Sequence, residues 1–132
     1  MAGQVFQFAD LKPFIRHEIG EMERMAEEHR KLTVLYVRLS ESPERVSDVL
    51  KDTLRHADVI FSSGDHFFLA LPTTDKEGAM HVARLLEQYF ERRVHDVATT
   101  WPEDGLTEAE ITGSLVEYVQ SLHGIDLRPV IG

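Results

Sequence analysis

The fold is decided by a stretch near the middle of the chain, which reads DVIFSSGDHFFLAL over residues 58–71. Two short apolar runs, 58–61 and 67–71, flank a polar segment, SSGDH, at 62–66. Apolar runs separated by a Gly-Asp pair are typical of two antiparallel strands joined by a tight turn. The stretch therefore predicts a β-hairpin whose turn projects from one end of a sheet.

Strands and helices alternate on both sides of this hairpin. Residues 32–39 are almost all apolar or β-branched, which predicts a central strand covered on both faces, and 94–100 predict another strand. A helix is predicted after the 32–39 strand, because Ser42 and Pro43 form a typical helix start. A second helix is predicted after the hairpin, where Thr74 opens a capping box. The order strand, helix, hairpin, helix, strand predicts an α+β protein with a ferredoxin-like βαββαβ sandwich.

Additional elements precede and follow this core. Ile15, Ile19 and Met22 recur at helical spacing within residues 10–30, which predicts an extra N-terminal helix. We expect residues 1–31 to pack on the domain or to lead into it.

A helix–strand unit is predicted at the C-terminal end. Thr107 opens a second capping box and Gly124 stands where a helix stops, so the segment between them is predicted to be helical. Residues 127–131 then read as a last edge strand. We expect residues 32–132 to form a single globular unit.

The composition excludes several functional classes. The 132 residues carry a net charge of −9 and contain no cysteine, which rules out disulfides and thiolate metal sites. The Arg92-Arg93 pair is too small a basic patch for binding nucleic acid or a membrane surface. No apolar run approaches the roughly 18 residues that a membrane span needs. We therefore expect a cytoplasmic protein with neither nucleic acid nor membrane as a partner.

Three stretches together resemble the GGDEF domain of diguanylate cyclases. RHADVIFSSGDHFFLALP at 55–72 is similar to the family pattern Arg-x-x-Asp, short strand, Gly-Gly-Asp/Glu-Glu-Phe, apolar strand, Leu-Pro. An Ala-bearing amphipathic helix follows, and VATTWPEDGLTEAEI at 97–111 is similar to the family's strand, Pro-Glu-Asp-Gly turn and helix start. The resemblance implies the nucleotide cyclase version of the ferredoxin-like fold and a role in bacterial signalling.

The resemblance also implies a specific chemistry. In such enzymes two facing domains each hold one GTP and join the pair into cyclic di-GMP. The hairpin glycines allow close approach of the nucleotide, and acidic residues on the hairpin and the first strand hold divalent cations that neutralise the triphosphate.

The signature turn is only partly present in this sequence. Gly64, Asp65 and Phe67 match the family pattern, whereas Ser63 replaces the first glycine and His66 replaces the last acid. An Asp-His pair in a turn is more typical of turn chemistry than of a metal site.

The first strand departs further from the pattern. Arg38 and Ser40 stand where the family has its metal-binding Asp-x-Asp, and a cation there repels Mg²⁺. The guanine-recognition segment is missing because Ser42 starts the next helix at once, and 114–123 lack the usual Lys. We therefore expect no catalytic residues, no metal, no cofactor and no enzymatic activity. Arg38 is expected either to extend into solvent or to pair with Asp65.

Arg55 and Asp58 match the family's inhibitory Arg-x-x-Asp site, where such a pair binds cyclic di-GMP; the alternative is a purely structural turn. Three functional hypotheses follow. The chain is an inactive regulatory module that binds a protein partner or a second copy of itself. Alternatively, it is a sensor that binds cyclic di-GMP or GTP through Arg55 and Asp58. A third hypothesis is an enzyme with altered nucleotide chemistry that uses Asp65 and His66.

Overall fold

The computed structural model describes residues 4–24 and 30–131. Within them the chain forms five β-strands and five α-helices, with a 3-10 turn at Phe8–Asp10 before the first helix. The strands are β1 (Gln4–Phe6), β2 (Leu32–Arg38), β3 (Val59–Ser63), β4 (His66–Pro72) and β5 (His95–Trp101). The helices are α1 (Leu11–Arg24), α2 (Pro43–Leu50), α3 (Lys76–Phe90), α4 (Glu108–His123) and α5 (Arg128–Ile131).

The strands form one sheet in the order β1-β3-β4-β2-β5. The four strands from β2 to β5 are antiparallel to their neighbours and alternate with helices, so the predicted βαββαβ core is confirmed. β1 is an additional edge strand that pairs in parallel with β3. It was not predicted, because three residues are too few to show a strand pattern and their conformation depends on pairing with β3.

Helices cover both faces of the sheet. Alternate side chains of β2 point to opposite faces: Val34 and Tyr36 pack with α1, α4 and α5, whereas Leu35 and Val37 pack with α2 and α3. Six of the seven β2 residues are buried. The unbroken apolar run is therefore explained by burial on both faces, as predicted.

α1, at Leu11–Arg24, lies within the predicted helix over residues 10–30. The expected core positions Ile15, Ile19 and Met22 are buried, and the described part of the helix ends at Arg24. The remaining predicted helical positions include 25–29, which lie outside the described residues.

The predicted C-terminal edge strand at 127–131 is wrong, because this segment forms the helix α5. The Asp126 carboxylate accepts a hydrogen bond from the backbone N–H of Arg128 at 3.0 Å, and the Leu127 carbonyl accepts from Val130 and Ile131. Leu127 and Ile131 are both buried, and their spacing of four residues suits a helical turn. Pro129 is tolerated because the first helical turn needs no N–H donor there.

One of the two predicted capping boxes is misplaced. Thr107 caps α4 as predicted and accepts a hydrogen bond from the N–H of Glu110. Asp75, not Thr74, caps α3, with its carboxylate accepting from the N–H of Gly78 at 2.9 Å. Thr74 is kept in the preceding turn because its carbonyl accepts a hydrogen bond from the hydroxyl of Thr33.

The hairpin turn consists of Gly64 and Asp65 between the paired residues Ser63 and His66. It is tighter than the predicted segment 62–66, whose other residues belong to the strands. Gly64 has a φ of +61°, a conformation that side-chain-bearing residues adopt only with strain. The glycine is therefore required by the backbone of the turn.

We expect Gly64→Ala to lower the free energy of unfolding by about 1 kcal/mol, because alanine disfavours a positive φ. The matched control is Gly113→Ala, at an exposed position of α4 where an added Cβ meets nothing within 4 Å. Alanine there should raise the free energy of unfolding by up to about 1 kcal/mol. Urea unfolding of both variants measures the two values. Equal effects of the same sign would contradict the assignment of strain to Gly64.

Candidate functional site

Four polar side chains lie in a row across one end of the sheet. Ser63 is opposite His66, His66 is opposite Arg38, and Arg38 is opposite His95. Residues directly opposite each other in an antiparallel sheet share a face, so these four side chains, here called the end row, project from the same face. It is the face covered by α1 and α4, because Tyr36, two residues before Arg38, packs there. The hairpin turn closes this end of the sheet.

Of the two alternatives expected for Arg38, the structure shows the pair with Asp65. The guanidinium Nε lies 3.0 Å from Asp65 Oδ2, and the N–H of Leu39 donates to the Asp65 carbonyl at 2.9 Å. Hydrogen bonding to Arg38 lowers the pKa of Asp65, and the same bond raises the pKa of Arg38. Pairs as exposed as this one contribute roughly 0.2–1 kcal/mol to stability. The two contacts connect the turn to the end of the central strand.

His66 is held in one orientation by the buried Tyr36. The Tyr36 hydroxyl lies 2.7 Å from His66 Nδ1, and the two rings stack with centroids 5.8 Å apart. Burial raises the pKa of Tyr36 to about 12, so the hydroxyl keeps its proton. The other ring nitrogen, Nε2, lies 3.6 Å from Asp65 Oδ1, and this carboxylate favours the ring hydrogen on Nε2, with Nδ1 accepting from the Tyr36 hydroxyl. Desolvation lowers the pKa of His66, which favours this neutral form.

These residues do not fit the divalent-cation site that the resemblance implies. The only carboxylate that sequence reasoning placed here, Asp65, is bound to a guanidinium, and Ser40 is exposed beyond the end of β2. Within residues 4–24 and 30–131 there is no cluster of three or more His, Cys, Asp or Glu suited to holding a metal ion. Mg²⁺ requires oxygen ligands, usually carboxylates, and a guanidinium supplies none.

Arg55 and Asp58 lie at the opposite end of the hairpin, before β3. The Asp58 carboxylate Oδ2 accepts from the backbone N–H of Arg55 at 2.7 Å and lies 3.9 Å from its guanidinium Nε. The Arg55 guanidinium also donates to the Pro72 carbonyl at 2.6 Å and to the Thr74 hydroxyl. Asp58 is 3% exposed, and its Oδ1 has no hydrogen-bond partner within the described chain. Burial raises the pKa of this carboxyl group.

The structure therefore separates the two predicted groups of site residues. It brings Arg38, Asp65 and His66 together at the turn, and Arg55 with Asp58 at the far end of the hairpin. Phe67 is buried against α2 and α3 and has a packing role. Sequence reasoning missed Tyr36, although its spacing of two from Arg38 places both side chains on one face of β2.

Cavities large enough for a small molecule lie away from the end row. One of about 570 Å³ is formed by α4 and the segment leading into α5, and its lining includes Tyr118 and Arg128. A second, of about 340 Å³, lies at the end of α3. None of the helices in the described part of the chain has the length and apolar character needed to cross a membrane.

Solved structures share this fold. A DGC protein from Thermotoga maritima matches with a TM-score of 0.64 and 18% identity, over 86% of this chain and 95% of that chain. A sensory box/GGDEF family protein from Caulobacter crescentus CB15 matches with a TM-score of 0.60 and 14% identity, over 83% and 86%. No family model matches the chain, and no curated protein matches it. At these identities the likeness shows the fold, so the chain has the GGDEF-like fold that the sequence predicted.

The environment of His66 predicts a pH dependence of stability. Its pKa is lowered in the folded state, so the unfolded chain binds a proton more readily as the pH falls through about 6.5. Folding stability contributed by neutral His66 is therefore present above this pH and is lost on acidification. We expect His66→Gln, which keeps an acceptor for the Tyr36 hydroxyl, to flatten the fall in unfolding free energy between pH 7 and 5.

The matched control for this prediction is His56→Gln, because His56 is exposed in the turn before β3. Urea unfolding at several pH values gives the free energy of unfolding of all three proteins. In the control, this free energy should change with pH as it does in the unsubstituted chain. A His66→Gln variant with the same slope as the unsubstituted chain would contradict the prediction.

Proposed function

We propose that this chain is a non-catalytic GGDEF-like regulatory module of bacterial signalling, which acts in the cytoplasm by binding a protein partner or a second copy of itself. The observation that carries the proposal is the pair between Arg38 and Asp65, at 3.0 Å. A guanidinium stands where the resemblance implies metal-binding carboxylates, and the remaining acid of the turn is bound to it.

Electrostatics supports the loss of activity. Two unit charges 4 Å apart interact by about 4 kcal/mol at an effective dielectric constant of 20. Because Arg38 stands in place of a carboxylate, the attraction of a divalent cation is replaced by a repulsion of similar size. A triphosphate approaching this turn would also compete with Asp65 for the same guanidinium. The end row has no set of oxygen ligands for the divalent cation that the family's reaction needs.

The connection after β2 supports the same conclusion. β2 ends at Arg38 and α2 begins at Pro43, with Ser42 capping the helix by accepting from the N–H of Arg45. The four residues between these elements leave no room for the segment that recognises guanine in the family. α4 contains no Lys that could contact a triphosphate.

Exposed apolar side chains support binding to a protein. Leu122 is 69% exposed and Tyr118 is 38% exposed, and they lie one turn apart on the outer face of α4. Leu106, just before the same helix, is 63% exposed. Neighbouring apolar groups on a surface are typical of contact sites for other proteins.

We expect the purified chain to make no cyclic di-GMP from GTP and Mg²⁺, because the end row lacks the carboxylates for the cation. Chromatography with mass detection of the reaction mixture measures the product, and detectable synthesis would refute the proposal. Asp65→Asn serves as the control for altered nucleotide chemistry. Consumption of GTP by the unsubstituted chain that disappears in Asp65→Asn would establish an enzyme in place of the regulatory module.

A second candidate function is a sensor of cyclic di-GMP at Arg55 and Asp58. The observation that favours it is the buried Oδ1 of Asp58, which lacks a hydrogen-bond donor within the described chain. Buried polar atoms are nearly always paired, so this oxygen could accept a hydrogen bond from a ligand that reaches the turn.

The sensor hypothesis predicts heat in a calorimetric titration with cyclic di-GMP, and loss of that heat in Arg55→Ala. The control is Arg45→Ala, which removes an exposed cation from α2 and should leave binding unchanged. Urea unfolding of both variants confirms that each is folded at the titration temperature. No heat with the unsubstituted chain would exclude the sensor and leave the protein-binding module.

A further inference from the structure

Two histidines from distant parts of the chain face each other where the end row finishes at His95. His95 begins β5 and His123 ends α4, and their Nδ1 atoms lie 3.2 Å apart. The ring centroids are 4.7 Å apart. His95 is exposed and His123 is half-buried, so the gap between the two nitrogens is open to solvent on the His95 side.

The backbone fixes the orientation of the His123 ring. Its Nε2 lies 3.0 Å from the carbonyl oxygen of Asp96, which can only accept a hydrogen bond. His123 Nε2 therefore carries a hydrogen, and in the neutral ring the lone pair is on Nδ1, directed at His95. Without a metal ion, two neutral rings at this separation share one hydrogen, which His95 Nδ1 donates to the lone pair of His123 Nδ1. A metal ion bound between the two nitrogens would take the place of that hydrogen.

We propose that His95 and His123 form a two-histidine binding site for a borderline divalent metal ion, Zn²⁺ or Cu²⁺. Two nitrogen ligands at 2.0–2.1 Å from a tetrahedral zinc ion lie about 3.3 Å apart, which agrees with the 3.2 Å between the two Nδ1 atoms. A ligating histidine commonly donates its other N–H to a backbone carbonyl, as His123 does to Asp96. The open side of the gap leaves the other coordination positions to water or to the same pair in a second copy.

Both carboxylates and guanidinium groups lie near the pair. The Asp96 carboxylate interacts with both histidines, and Glu87 interacts with Asp96. Two cations are also near. Arg84 interacts with Asp96, and Arg38 is opposite His95 in the sheet. The guanidinium of Arg38 is bound to Asp65, so its charge is compensated locally and does not exclude a metal ion.

The experiment is a titration of the tag-free full chain with Zn²⁺, Cu²⁺ and Mg²⁺. Binding is measured by calorimetry and, for Zn²⁺, also by NMR of the imidazole C–H groups. We expect Cu²⁺ to bind more tightly than Zn²⁺ and Mg²⁺ not to bind, because imidazole is a poor ligand for Mg²⁺. The resonances of His95 and His123 should shift with Zn²⁺ and the other histidines should not. A ratio of one metal ion per two chains with dimers in sedimentation, or of one per chain with monomers, would each be consistent with the site.

Variants separate this site from other sources of binding. His95→Gln and His123→Gln should each weaken Zn²⁺ binding at least tenfold, since changing even an outer-shell partner of a metal ligand commonly costs about 10–100-fold. His81→Gln, at an exposed position of α3, should leave it unchanged. Circular dichroism of the variants checks folding. The proposal is overturned if both variants keep the original affinity, or if the two rings titrate with protons but do not respond to Zn²⁺.

Discussion

The structure depends on the register of β2 with its two neighbours. All seven β2 residues pair with β4 on one side and with β5 on the other. Because side chains alternate along a strand, a slip of one residue would move Tyr36 and Val34 from one core to the other and invert every contact of this strand. The same register places Arg38 between His66 and His95. Core packing and the arrangement of the end row are therefore set by one constraint.

Arg38 ends the buried strand with a partly exposed charge at one end of the sheet. The turn contacts the strand here, since Asp65 bonds to the guanidinium through its side chain and to the N–H of Leu39 through its carbonyl. The hairpin is thus fixed to the central strand by groups of the chain itself. Asp65 makes both of these contacts, one through its side chain and one through its backbone.

The sequence was sufficient to predict the features that depend on local pattern. The β2 strand, the hairpin and the helix starts at Ser42 and Thr107 follow from apolar runs and capping residues within a few positions. The strand prediction for 127–131 was wrong. The β-branched residues at its end favoured a strand, whereas the spacing of four between the buried Leu127 and Ile131 suits a helical turn. Asp75 and Thr74 are both good caps, and Thr74 is held in the turn by tertiary bonds from Thr33 to its carbonyl and from Arg55 to its hydroxyl.

Other contacts could not be predicted because they join segments far apart in the chain. Tyr36 and His66 are 30 residues apart, and His95 and His123 are 28 apart. Each pair forms only when two strands, or a strand and a helix end, reach their final register. The pair of Arg38 and Asp65 was one of two alternatives expected from the sequence, because the resemblance placed the turn beside the first strand and so supplied tertiary information that a single sequence lacks.

The end row also bears on how two copies of this chain could meet. Each copy carries a net charge of −9, so two copies repel each other overall. At the end row the charges of Arg38 and Asp65 cancel, and the lowered pKa of His66 favours its neutral form. Leu122, the most exposed of the large apolar residues in the described chain, is adjacent to His123. A second copy would therefore meet less repulsion here, and a cation shared by the two histidine pairs would reduce it further.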